Sequence, residues 1–315
     1  MWIQPYTFES IEYLTKLLIA AAGGQDALRK HPLASWITCS VSPFVFKPMD
    51  LEIILQAARH GVPMQPCSLP GAGTTAPITA PGAAMVGVVE NLVMLATAQV
   101  IQPGIPIIAT SLQFSADMRT GLNMQSSVEA SRQSALFVQQ MQSIYGIPAH
   151  TYGSGSDSPD LDGQGMSERA MRTVLIALSG GCVVGAAGQI ETACTISPVQ
   201  LVVDNEVLGM TKATVAKMSF DDDALGWEEL MHCEPGGQFL PGAHTRKHCR
   251  DGFEPINFVR STRSMWLDKK QGTLVERAAA YLEKLMKDAG PIDLPAETVK
   301  EMNEIVAAAD RKLVE

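Results

Sequence analysis

The sequence predicts an α/β fold, a (β/α) barrel of TIM type that ends in C-terminal helices. Three observations carry this expectation. Short β-rich runs at 36–41, 62–67, 105–111, 147–152 and 182–187 are followed by longer helix-like stretches. Their starts lie roughly 25 to 45 residues apart, the spacing of strand–loop–helix units in a parallel sheet. No GxGxxG follows the first run, which weakens the open dinucleotide-binding sheet that shares this alternation. Five clear units are fewer than eight, so their number alone does not imply closure. Residues 1–8 are a candidate source of an earlier strand.

Three of the runs start behind a helix stop. His60-Gly61-Val62-Pro63, Gln102-Pro103-Gly104-Ile105-Pro106 and Tyr145-Gly146-Ile147-Pro148 each use Gly to end a helix and Pro to prevent its continuation. Between the runs, 50–59 reads as a helix with Asp50 as N-cap. Residues 83–100 are small and apolar on nearly all sides, as suits a helix packed against a sheet. Stretches 127–143 and 167–178 open with Ser and carry Glu soon afterwards, a capping signature. Two amphipathic helices, 273–288 and 295–314, are separated by Ala289-Gly290-Pro291. Residues 1–270 are therefore expected to form the barrel. Residues 271–315 form a helical extension outside the main body or a partner surface.

A chain of 315 residues with 46% hydrophobic and 18% charged residues buries a sizeable core and shows no bias to disorder. The formal net charge of -9 argues against a nucleic-acid partner, which wants clustered Lys and Arg. Six cysteines without a CxxC pair suit reduced thiols rather than a zinc ribbon or a disulfide framework. The first ten residues lack a basic start followed by an apolar stretch, and the apolar runs are interrupted before bilayer length. The expectation is a cytoplasmic protein with no membrane partner, assembled as a homo-oligomer.

In a barrel, chemistry gathers in the loops at the C-terminal ends of the strands. After the second run, Gly71-Ala72-Gly73-Thr74-Thr75 lets backbone N–H groups approach a ligand, or forms a plain turn. After the third run, Gln113 and Phe114 lie nearest the strand end and are ligand candidates, while Asp117 and Arg119 are expected to pair locally. After the fourth run, His150, Tyr152 and Asp157 head a loop dense in acids, where at least one Asp is expected to cap a helix. After the fifth, Gln189 and Glu191 emerge from a small, apolar stretch. Glu191 reads equally as a general base, as a charge opposite a cationic ligand, or as a helix-start Glu. His244 and His248 share the i, i+4 spacing of metal ligands but lack a third ligand and the HExxH glutamate, so no metal site is expected.

The order of these segments resembles the trimethylamine methyltransferase family, including its non-pyrrolysine members, over about four fifths of the chain. The residues that carry it are Gly71-Ala72-Gly73-Thr74-Thr75-Ala76-Pro77-Ile78-Thr79 with Glu90-Asn91 downstream, Asp117-Met118-Arg119-Thr120-Gly121, Ser156-Asp157-Ser158-Pro159-Asp160 with Gln164-Gly165, and Gly236-Gly237-Gln238-Phe239-Leu240 with His244-Thr245. The resemblance implies a barrel enzyme that moves a methyl group from an amine to the Co(I) of a corrinoid (cobalamin) carried by a separate partner protein. The family is usually longer at the N-terminus, so the resemblance implies a barrel incomplete at its N-terminus, with its first strands missing or supplied by residues 1–8. Its trimethylamine-using members carry pyrrolysine, whereas this chain has only ordinary residues, which points to a betaine-like quaternary amine.

On that resemblance, Tyr152 and Phe114 face the ammonium and Asp157 or Glu191 supplies charge or orients a neighbour. Gln113 and Gln189 contact the substrate, and His150 or His244 binds its carboxylate. Two other readings stand beside it. One is a catalytically idle homologue that binds the corrinoid protein or a betaine. The other is an unrelated lyase or aldolase, which a Lys in a strand would favour; none of the five runs contains one.

Overall fold

Six short strands form one all-parallel sheet in the computed structural model, which describes residues 2–290 and 294–313. Their order in space is their order in the chain: β1 (Trp2–Ile3), β2 (Ser35–Cys39), β3 (Met64–Ser68), β4 (Ala109–Ser111), β5 (Ala149–Tyr152) and β6 (Val183–Gly185). A doubly wound sheet reverses its strand order part-way; this one does not. Residues 2–3 thus do supply a strand ahead of the five foreseen from the sequence.

The helices follow in one sequential layer. α1 (Phe8–Ala22) and α2 (Gln25–Lys30) precede β2; α3 (Pro48–His60), α4 (Ala80–Ile101), α5 (Val128–Gln139) and α6 (Gly163–Leu178) follow β2 to β5 in turn. α7 (Pro198–Thr214) comes after β6. α1 packs on α3, α3 on α4, α4 on α5, α5 on α6 and α6 on α7.

Period-two alternation then decides which side chains meet the helices. Trp36 and Met64 join Ile53, Ile54 and Ala57 of α3 in one core cluster, and Ala109 and Ala149 join Phe137, Val138 and Ile176 in another. The residues between them, Cys39, Gln65, Cys67, Thr110, His150 and Tyr152, therefore face the opposite, concave side. That side is polar: Gln65 donates to Ser35 Oγ at 2.6 Å and accepts from Thr110 Oγ1 at 3.3 Å.

The sheet curls strongly, yet the expected barrel stops short of closure. Among the described residues, β1 and β6 form no ladder with each other. Six strands do not reach the eight that close such a barrel. Other boundaries also moved. The strand expected at 105–111 is regular only over Ala109–Ser111, since Pro106 has no N–H to give a ladder. Asp50 is not the N-cap of α3. Pro48 opens the helix after Lys47, and Asp50 reaches back to accept from the Lys47 N–H at 2.7 Å and from Thr38 Oγ1 at 2.8 Å. α6 starts before Ser167, capped by Asp162, which accepts from the Gly165 N–H at 2.8 Å. Ser127 caps α5 as the sequence indicates.

By length and composition α4 could cross a membrane. Here it packs on β3, β4, α3 and α5. Its fully buried Glu90 accepts from Ser40 Oγ, Ser42 Oγ and the Phe44 N–H, while Asn91 bonds both Ser68 and the Thr110 backbone. The Glu90-Asn91 pair therefore ties loop and strand to the helix layer.

The two C-terminal helices are α8 (Leu274–Asp288), with a Thr273–Glu276 capping box, and α9 (Ala296–Leu313). α8 packs on α7 around Val202, Val203 and Ala278, and α9 lies along α1. Met1, the Pro291 end of the link between these helices and the Val314 end of the last one lie outside the described residues.

Candidate functional site

The centre of the concave face is His150. It is 1% exposed, and its ring lies 4.2 Å from Trp2 of β1 and 6.5 Å, edge-on, from Tyr152 on its own strand. Gly185 makes room for this group: a Cβ there would come 2.5 Å from His150 Nε2 and 3.3 Å from both Trp2 and Tyr152. Neither ring nitrogen of His150 has a hydrogen-bond partner. Burial lowers its pKa to about 3, so the imidazole is neutral at ordinary pH. Orphaned polar atoms of this kind mark a place that a ligand or water completes.

Tyr152 lies half-buried at the C-terminal end of β5. Burial raises its pKa, and the Gln189 side chain, within hydrogen-bonding reach of the hydroxyl, opposes that rise. Gln189 belongs to a hairpin of Gln189–Ile190 and Thr195–Ile196, and its Oε1 has no partner. Arg169 of α6 holds the hairpin from behind. Its guanidinium donates to the Gln189 and Ser154 carbonyls and pairs with Asp204 of α7 at 2.6 Å. Asp204 also accepts from the Gly188 N–H and from Gln200 Nε2. Desolvation lowers the pKa of Arg169 and raises that of Asp204, outweighing their mutual attraction, which pulls each the other way.

The two acids proposed from the sequence have different surroundings. Asp157 is a loop clamp: its carboxylate accepts from the Gln125 and Ser126 N–H groups, both at 2.9 Å, and from Thr192 Oγ1 at 3.0 Å. Nearby, Arg172 is fully buried and donates to Ser126 Oγ and, more closely, to Ser134 Oγ of α5. Burial lowers its pKa to about 10 against the opposing pull of Asp157. Glu191 is exposed and accepts from Thr195 Oγ1 at 2.9 Å. It starts three successive non-glycine residues in the left-handed region, Glu191, Thr192 and Ala193, with φ of 53°, 51° and 69°. Bonds from Glu191 N to Ser158 O and from Thr192 N to Ser156 O hold that unusual turn and join the two acidic loops.

The other candidates are dispersed. Phe114 is half-buried in a small sheet of Gly71–Ala72, Phe114–Ala116 and Asn123–Met124. Gln113, one residue earlier, turns towards α4: it donates to Ser111 Oγ at 2.6 Å, and a Cβ on Gly87 would meet it at 2.6 Å. His244 lies in a surface cleft with Asp223, Trp227 and Glu229, its ring 4.5 Å from that of His248 and tilted to it, and bonds the Asp223 carbonyl. Among the described residues, no group of three or more His, Cys, Asp or Glu side chains is arranged to hold a metal ion. The Gly71-to-Thr75 loop closes on itself, with the N–H groups of Thr74, Thr75 and Ala76 all directed to the Gly71 carbonyl. Asp117 accepts from the Arg119 N–H and Thr120 Oγ1, the local pairing foreseen for it.

The structure thus gathers His150, Tyr152 and Gln189, with Asp157 and Glu191 on the adjoining loops, and sets Gln113 and His244 apart. Sequence reasoning missed Trp2, Cys39 and Cys67. A two-residue strand carries no periodicity that would mark Trp2. The cysteines become visible as concave-face residues only once the parity of β2 and β3 is known.

The trimethylamine methyltransferase (MTTB) family matches residues 10–313. The chain is similar to trimethylamine methyltransferase MttB of Methanosarcina barkeri, 28% identical over 304 residues covering 96% of this chain and 61% of that protein. It is equally similar, at 28% over 298 residues, to the glycine betaine methyltransferase of Desulfitobacterium hafniense, covering 93% of this chain and 61% of that protein. The chain therefore spans about three fifths of the length of these relatives. Among solved structures, a 7,8-dihydropteroate synthase from Vibrio fischeri aligns at 13% identity with a TM-score of 0.33, over 62% of this chain and 72% of that one. That is too slight a likeness to bear on the fold.

Proposed function

This chain belongs to the trimethylamine methyltransferase family, and from that premise we propose that it moves a methyl group from a small, betaine-like quaternary amine to a corrinoid acceptor. The acceptor is a second substrate, a reduced corrinoid carried by a separate protein, which supplies a cobalt nucleophile for the methyl carbon. The work of this chain is to bind the cation, orient one N-methyl group and exclude water. We read residues 1–270 as the TIM-type (β/α) unit that does this, residues 271–315 as its helical extension, and the whole as a cytoplasmic homo-oligomer.

The observation that carries the reading is the group formed by Trp2, neutral His150 and Tyr152 on the concave face. Aromatic faces attract a quaternary ammonium, and an imidazole kept uncharged by burial does not repel it. Gln189, with its unpartnered Oε1 beside Tyr152, adds a polar contact to the substrate. In this reading Phe114, on its own small sheet, offers a further aromatic face to the ammonium. Asp157 acts by holding the 125–126 and 192 loops, and Glu191 supplies negative charge at the entrance. A quaternary nitrogen leaves as a neutral amine, so no proton donor is needed. Gln113, turned towards α4, and His244, in its surface cleft, stand outside this group.

The test is methyl transfer to reduced cobalamin, followed by visible absorbance, over a panel of glycine betaine, other betaines, choline and trimethylamine. A spectral change with one betaine, lost in Tyr152→Ala and weakened in Glu191→Gln, is the expected result. Unchanged rates in both variants remove those residues from the site. The open sheet favours one second reading, a homologue that binds the betaine or the corrinoid protein without turnover. Calorimetric binding of a betaine, with silence across the activity panel when a corrinoid protein is supplied, identifies that case.

A further inference from the structure

We propose that Cys39 and Cys67 are a vicinal dithiol which hydrogen peroxide oxidises to an intramolecular disulfide, making the rim of the concave face a thiol-modification site. The two residues are direct register partners on neighbouring parallel strands. Both have the parity of the concave face, since Thr38 bonds Asp50 of α3 and Ser68 bonds Asn91 of α4 on the opposite side. Adjacent strands run about 4.8 Å apart, inside the ~4.4–6.8 Å between Cα atoms that a disulfide spans. The bond therefore needs rotation of two side chains and no rearrangement of the sheet.

The two thiols differ in the way such chemistry requires. Cys39 is half-buried and reachable, whereas Cys67 is fully buried behind it. A hydrogen bond from Cys67, helped by the Lys47 ammonium and the Gln4 side chain, holds the Cys39 thiol below its ordinary range. The same bond, with burial, holds the Cys67 thiol well above it. A thiolate that is accessible and backed by a second thiol is the arrangement that selects a cysteine for oxidation. The other four cysteines lie elsewhere; Cys182, for example, accepts from Gln142, and Cys233 lies beside Glu234 and Gly237.

The chemistry proceeds in two steps. The Cys39 thiolate attacks the peroxide, forming S–O, breaking O–O and releasing one water after protonation. Cys67 then attacks the sulfenic sulfur; S–S forms, S–O breaks, the Cys67 proton leaves with the hydroxyl, and a second water departs. The sulfur pair loses two electrons and one peroxide is reduced to two waters. Before Cys39 is consumed, its negative charge raises the pKa of Cys67, so its conversion to sulfenic acid itself eases ionisation of the resolving thiol. Both sulfurs act electrostatically on the Tyr152 hydroxyl, so oxidation also changes the charge next to that residue. The inference stands whether or not the chain transfers methyl groups.

The test treats the intact chain with hydrogen peroxide without denaturant, blocks free thiols with iodoacetamide, and maps peptides by mass spectrometry. The expected product is a pair of peptides joined through Cys39 and Cys67 that separates on reduction. In Cys67→Ala, and in the more conservative Cys67→Ser, dimedone should label Cys39 instead, and iodoacetamide should modify it several-fold more slowly before oxidation. Circular dichroism of each variant confirms that it is folded. Absence of the 39–67 cross-link from the oxidised wild type overturns the proposal. So does a Cys39 that reacts at the same rate with and without Cys67.

Discussion

The indole of Trp2 rests 4.2 Å from the imidazole of His150, although one belongs to the first strand of the sheet and the other to the fifth. Curl of the sheet brings the two together across its concave face. Their contact removes His150 from water and leaves both of its nitrogens without partners.

Gly185 is the spacer for that contact, and Gly185→Ala should show it. The added methyl would meet His150, Trp2 and Tyr152 together. Overpacking of this kind costs ~1–3 kcal/mol. Urea unfolding should record the loss. A variant as stable as the parent would mean that the rings move aside freely and that the packing is loose.

His150 should leave a mark on the pH dependence of stability. Its folded pKa of about 3 lies below the value of about 6.5 for an unfolded histidine. Between these values the unfolded chain binds the extra proton, so stability rises with pH across this window. The contribution is present in full above about pH 6.5 and is lost as pH falls towards 3, with a limiting slope of ~1.4 kcal/mol per pH unit. Carboxylates add slopes of their own, so the quantity to measure is the difference between the parent and His150→Gln in urea midpoints over this range. Parallel curves would show that His150 is already solvated or protonated in the folded chain.

Breaking the buried Arg169–Asp204 pair should be costly. Both partners are essentially unexposed, 1% and 0%, and Asp204→Ala leaves a guanidinium buried without its counter-charge. A loss of ~3–5 kcal/mol is expected. The double change Arg169→Met with Asp204→Leu should recover part of it, because no charge then remains uncompensated. Denaturant unfolding of the two variants checks both statements. Equal losses in the single and double variants would show that the hydrogen bonds to Gln189 and Gly188, rather than the charge, carry the effect.

Asp157 should act through its loops. Asp157→Ala removes the acceptor of two backbone N–H groups, each loss worth ~1–3 kcal/mol when the group stays buried. Hydrogen exchange at the Gln125 and Ser126 amides should accelerate accordingly, and Asp157→Asn should restore part of the protection. Loss of methyl transfer in Asp157→Ala with unchanged exchange would place the carboxylate on the substrate instead.

Much of the scaffold was legible because its signals are local. Gly61 and Gly146 stop helices, Ser127 caps one, and apolar runs mark β2 to β6. Where local signals compete, the outcome was harder to read. Asp50 and Ser167 both look like caps. Pro48 and Asp162 pre-empt them, because a helix begins where the first turn is satisfied and not at every residue able to satisfy it. Within the site, Tyr152 and Gln189 were visible at strand ends. For Gln113 the strand end was legible but the face was not, since one residue along a strand reverses it, and only the bond to Ser111 Oγ and the contact with α4 reveal which face it takes.

The sequence by itself determined the class of fold, the order of its strands and helices, and the family, since these depend on periodicity, turn chemistry and ordered motifs along the chain. Tertiary structure alone decided that Trp2 reaches His150, that Cys39 faces Cys67, and that the sheet curls without closing among the described residues. Those relations join residues from 28 to 148 positions apart. Such contacts follow from register, twist and side-chain parity across the whole sheet, which no local stretch of residues encodes.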